Sequence, residues 1–102
     1  MFSSFFNLMR GREMKRILLE VSHMRSEEQV SEYLKSVFNI ESDEHLDLDA
    51  VYSCIMSINE DIEIKIDDAD AFVKMMGRYA LGLMKLLRDA SNESDHISFD
   101  WQ

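Results

Sequence analysis

Ile62-Glu63-Ile64-Lys65-Ile66 alternates apolar and charged residues without a break. Such alternation puts the three isoleucines on one face of a strand and the two charges on the other. What surrounds this strand constrains the fold. The nearest strand-like runs, Lys15–Ser22 before it and Ile97-Ser98-Phe99-Asp100-Trp101 after it, are separated from it by stretches with three- and four-residue apolar spacing. A hairpin turn cannot hold such stretches. Strands connected through helices pair in parallel, by crossovers that are right-handed almost without exception. The order predicted is strand, helix, helix, strand, helix, helix, strand.

Each helical stretch carries its own signals. Ser26-Glu27-Glu28-Gln29 has capping-box spacing, so a helix starts there. Its apolar positions are Val30, Tyr33, Leu34, Val37 and Phe38, and it ends near Asn39. Leu48, Val51, Tyr52, Ile55 and Ile58 mark a second helix with one apolar face. Asp67 and Asp68 are placed to cap a third stretch, whose stripe runs through Phe72, Met76, Tyr79, Leu83, Leu86 and Leu87 to about Ala90. Gly77 is the expected break within it. Ser91–Asp95 reads as a polar loop.

At 102 residues the chain is one domain with room for a single core. Its net charge of −9 opposes nucleic acid and anionic membrane as partners and favours a basic one. Cys54 is the only cysteine, which excludes an internal disulfide and a thiolate zinc cluster and fits a reducing cytoplasm. Within an apolar-spaced helix it reads as buried filler. Phe2, Phe5, Phe6, Leu8 and Met9 precede Arg10 and Arg12, the wrong order for a signal peptide. No run approaches the ~20 apolar residues that cross a bilayer. "MKRILLEV" from Met14 reads as the start of the domain, with residues 1–13 either an extension or a short helix that packs its phenylalanines on the domain.

The acids are unevenly placed. From Glu41 to Asp70 there are eleven, against Lys65 as the only base. Five fall between Glu41 and Asp49. A calcium loop counted from Asp43 would need glycine at its sixth position and glutamate at its twelfth, where Leu48 and Cys54 stand. Paired carboxylates do acid–base work when a pocket drives their pKa values apart, whereas these crowd onto a polar loop and a helix start. No Ser/His/Asp pattern, Gly-rich phosphate loop or zinc motif occurs, and His23, His45 and His96 sit in polar contexts typical of surface histidines. The reading that remains is a negative recognition surface. Asp49 and Ser53, one turn apart, face outward from a helix whose apolar stripe turns inward.

From about Met14 to Gln102 the chain resembles the barstar family of ribonuclease inhibitors. "HMRSEEQVSEYL" matches the family's first helix and its entry. Leu48-Asp49-Ala50-Val51-Tyr52 resembles its Leu-Asp-Ala-apolar-aromatic signature on the second helix. Leu87-Arg88-Asp89-Ala90 is similar to the end of its long C-terminal helix, and "HISFDWQ" falls where the last strand belongs. The resemblance implies an α/β fold, a three-stranded parallel sheet flanked by about four helices, over residues 14–102. It implies a cytoplasmic bacterial protein, a monomer when free, that plugs the basic active site of a secreted ribonuclease with its second helix and the loop before it. Asp49 then matches the first acid of the inhibitory helix and Asp89 an acid near the end of the last long helix. Two departures stand out. Glu44-His45-Leu46-Asp47 replaces a common Tyr-Gly-x-Asn, and Ser53 stands where a second Asp is frequent. Asp43, Glu44 and Asp47 supply compensating charge, and Tyr52 and Met56 apolar contact at the rim. The target is then a different ribonuclease or the nuclease domain of a contact-delivered toxin, making the chain an antitoxin or immunity protein. No cofactor, metal or catalytic residue is implied. The alternatives are a small metal- or acid-dependent enzyme using Asp43, His45, Asp47 and Asp49, and a barstar-fold interaction module without a nuclease target.

Overall fold

The alternating isoleucines form the central strand of the sheet. A computed structural model describes residues 14–100, without the side chain of Asp100; the expectations for residues 1–13 and for Trp101 lie outside the described residues. Three strands, β1 (Lys15–Leu19), β2 (Ile62–Ile66) and β3 (Ile97–Asp100), pair in parallel in the order β1-β2-β3. Ile17 pairs with Ile64 and Ile62 with Ile97, which brings the inward-facing residues of all three strands into line. Among the described residues four helices complete the fold: α1 (Glu27–Phe38), α2 (Leu48–Met56), α3 (Ala69–Met76) and α4 (Arg78–Glu93). This is the architecture the resemblance implies.

The core lies on one face of the sheet. Ile17 and Leu19, Ile62, Ile64 and Ile66, and Ile97 are buried there against Val30 and Leu34 of α1, Val51 and Ile55 of α2, Phe72 of α3, and Leu83, Met84 and Leu87 of α4. On the opposite face Arg16, Lys65 and Ser98 are exposed, and Leu18 is 53 % exposed. Parallel sheets usually carry helices on both faces, and strands covered twice read as continuous apolar runs. Lys15–Ser22 reads as such a run, yet only every second residue of β1 is buried. Across the open face the Arg16 guanidinium lies 3.4 Å from the Glu63 carboxylate.

Two boundaries differ from the sequence reading. The first strand ends at Leu19 because the chain turns into a single 3₁₀ turn, Val21–His23. Its Val21 N–H donates to Asp67 Oδ1 at 3.0 Å. Asp67 is therefore spent on the first strand's exit, and Asp68 alone caps α3, accepting from the Ala71 N–H. The last helix runs to Glu93, three residues past Ala90, so Ser91–Glu93 are helical and not loop. Gly77 does separate α3 from α4, at φ 57° and ψ −124°, a backbone conformation that L side chains rarely adopt.

Candidate functional site: an acidic loop and the start of α2

α1 positions the acidic segment that follows it. Ser26 caps it by accepting from the Gln29 N–H at 3.1 Å. The reciprocal half of the capping box is displaced by one residue, since Gln29 Oε1 accepts from the N–H of Arg25. At the other end Asn39 takes a left-handed conformation, φ 56°, and the Ile40 N–H returns to the Lys35 carbonyl. Asparagine tolerates this conformation better than most residues. The turn releases the chain into the acidic segment, residues 40–47.

That segment has no regular secondary structure, yet it is held at its base. Leu46 is 5 % exposed and enters the core, and its N–H donates to the hydroxyl of Ser31, fully buried in α1, at 2.8 Å. Asp43, Glu44, His45 and Asp47 are exposed around this anchor. Asp47 accepts from the Ala50 N–H at 2.8 Å through Oδ1 and caps α2. Asp49 follows in the first turn of α2, exposed. A carboxylate there is favoured by the helix dipole. Asp47 thus has a structural duty besides its charge.

The structure brings His45, Asp47 and Asp49 to one shallow cavity of about 310 Å³. Leu48, Glu27 of α1 and Tyr79 of α4 complete its lining. Glu27 and Tyr79 were not expected at this site. Glu27 reads as a first-turn acid and Tyr79 as one more apolar-stripe residue, and only tertiary packing joins them to α2. The Tyr79 hydroxyl is buried without a hydrogen-bond partner among the described residues. Burial, with the Glu27 carboxylate nearby, pushes its pKa up to about 12. Gly82, one turn further along α4, lets Leu48 approach closely. A Cβ on Gly82 would stand 3.0 Å from Leu48 Cδ1.

The other expected residues are spread around this centre. Asp43 and Glu44 lie on the loop, outside the cavity lining. Ser53 is exposed on the same helix as Asp49. Tyr52 and Met56 are half-buried and packed against the core, so only part of each side chain is available to a partner. Cys54 is free and half-buried, not buried filler. Asp89 is exposed on α4 ten residues beyond Tyr79, about 15 Å along the axis by the helix rise. Among the described residues no group of three or more His, Cys, Asp or Glu is arranged to hold a metal ion. His96 Nδ1 lies 2.9 Å from Asp61 Oδ1, and His23 stacks on Tyr33 with ring centroids 5.1 Å apart; both are remote in sequence from the acidic loop.

No protein-family model matches this chain, and no curated protein matches it. Among the described residues no helix is long and apolar enough to cross a membrane.

Proposed function

We propose that the chain is a barstar-like inhibitor, an immunity protein that plugs the basic active site of a secreted ribonuclease or toxin nuclease with the acidic loop and the start of α2. One observation carries this reading. The segment with five acids and no Lys or Arg, Glu41–Asp49, is fixed at its base by Leu46 and Ser31 and runs directly into a capped helix. A set of carboxylates held in place on a folded support is complementary to a cleft that binds phosphates. Asp49 is the central contact, flanked by Asp43, Glu44 and Asp47. Tyr52, Ser53 and Met56 form the adjoining surface of α2, and Asp89 an outlying contact on α4. The protein acts in the cytoplasm and uses no cofactor.

The reading predicts that the neighbouring reading frame encodes a secreted ribonuclease or a large secreted protein ending in a nuclease domain. Titrating that nuclease with the chain should abolish RNA cleavage at one inhibitor per enzyme. Cleavage that continues at a large molar excess would sink the proposal. Equilibrium dialysis separates it from the enzyme alternative, because an inhibitor of this kind binds no divalent metal specifically at Asp43, His45, Asp47 and Asp49.

A further inference from the structure

Ala71–Arg88 contains four bases and no acid, in a chain whose acids outnumber its bases 20 to 11. All four are exposed, Lys74 on α3 and Arg78, Lys85 and Arg88 on α4. Lys74, Arg78 and Lys85 form no salt bridge among the described residues. The nearest acids along the two helices are Asp70, one turn before Lys74, and Asp89, one turn after Lys85, with none between them. Met75 and Leu81 are 40 % and 45 % exposed, two of the four large apolar side chains that face solvent among the described residues. Arg78, Leu81 and Lys85 follow at three- and four-residue spacing and so share one face of α4. The opposite face buries Ala80, Leu83, Met84 and Leu87. The outer face is thus a basic stripe with an apolar centre.

We infer that this stripe docks the acidic edge of a second copy of the chain, so that the protein assembles head to tail at high concentration. The argument is complementarity. The stripe needs carboxylates together with an apolar surface for Leu81. The edge that holds Asp43 and Asp49 beside the half-buried Tyr52 and Met56 supplies both. Stripe against stripe repels, as does edge against edge, so the contact is heterologous and each copy keeps one unsatisfied surface. The overall repulsion between copies of net charge −9 is screened beyond about 8 Å at physiological salt, while charges apposed more closely than that still attract until the screening length falls to about 3 Å near 1 M. The association is accordingly weak: dilute protein is monomeric. Assembly covers Asp49 and competes with any target that needs it. This goes beyond the inhibitor reading and requires only that the acidic edge be accessible.

Sedimentation of the full chain from about 10 μM to about 1 mM, the range in which weak association becomes populated, tests it without any nuclease. The weight-average mass should rise from the monomer's 12.0 kDa with concentration at about 0.15 M salt and return to it at about 1 M. Arg78→Glu with Lys85→Glu should stay monomeric throughout, as should Asp43→Lys with Asp49→Lys. An equimolar mixture of the two double variants should associate again, because each keeps or regains a complementary partner in the other. Both variants should unfold in one cooperative thermal transition, which shows that the fold is kept; Asp49→Lys lowers the midpoint through the lost helix-dipole contribution. A monomer at every concentration overturns the inference, as does undiminished association of the stripe variant. So does stripe-dependent binding to phosphatidylserine vesicles or polyuridylate in place of self-association.

Discussion

The backbone N–H of Leu46 donates to the hydroxyl of Ser31 across fifteen residues of chain, and both residues are buried. This bond ties the acidic loop to the middle of α1. Ser31→Ala leaves the Leu46 N–H buried without a partner, a loss of about 1–3 kcal/mol. For a domain of this size each kcal/mol shifts the melting temperature by about 4–8 °C. Amide exchange of residues 40–47 should accelerate more than that of β2. If Ser31→Ala melts with the wild type and the loop exchanges no faster, the loop is not held by this bond.

Asp47 and Asp49 are separable by what each contributes to the stability of α2. Asp47→Ala removes the α2 cap and should cost about 0.5–2 kcal/mol, most of it restored by Asp47→Ser or Asp47→Asn. Asp49→Ala loses only a helix-dipole contribution of about 0.3–1 kcal/mol. Chemical denaturation of the variants orders them, and equal losses at the two positions would mean that Asp47 does not act as the cap.

Tyr79 carries a buried hydroxyl with no partner. Tyr79→Phe removes a desolvated polar group without opening a cavity, so stability at neutral pH should be unchanged or slightly higher. The pKa of about 12 in the folded protein lies above the ordinary tyrosine value of 10.0. The folded state thus holds the proton more tightly than the unfolded state does. That contribution is complete below pH 10 and is lost as pH rises through 12. Wild type should therefore lose more stability than Tyr79→Phe over this interval. Parallel alkaline unfolding curves for the two proteins would contradict the assignment.

Local pattern made most of this fold legible, and the exceptions are those that depend on distant packing. The Ile62–Ile66 alternation, the Ser26 cap, the helix end near Asn39 and the Gly77 break are each set by residues close in sequence, and the structure realises them. The open side of the sheet was not legible, because an exposed Leu18 inside an apolar run looks like a buried one. Asp67 resembled a helix cap because its alternative partner, the Val21 N–H, lies forty-six residues away. At the candidate site Asp47 and Asp49 were visible as acids at a helix start. Glu27 and Tyr79 were hidden, since nothing local distinguishes them from ordinary residues of α1 and α4. The Ser31 anchor was hidden for the same reason: a serine on an apolar helix face shows no sign of its partner.

Gly77 links α3 to α4 with a backbone only glycine adopts readily. A Cβ there meets nothing within 4 Å, so the cost of Gly77→Ala is conformational and not steric. About 1–3 kcal/mol is expected from holding a non-glycine residue in such a region. Replacement by D-alanine, which favours positive φ, should recover much of it. Equal destabilisation by both alanines in thermal unfolding would show that the strain lies elsewhere.

Stopped-flow kinetics of the chain with the nuclease from the neighbouring reading frame shows whether Asp49 and the acidic loop fill a basic cleft, as proposed. The association rate should fall steeply as salt is raised from about 0.05 M to about 0.5 M, as charge-steered encounter requires. Asp49→Ala should raise the dissociation rate and weaken binding by about 2–5 kcal/mol, the loss for truncating one partner of a buried charge pair. The same change at Asp95, an exposed residue of the turn before β3, should do little. An association rate insensitive to salt, or an Asp49→Ala variant that binds as tightly as the wild type, would contradict the account.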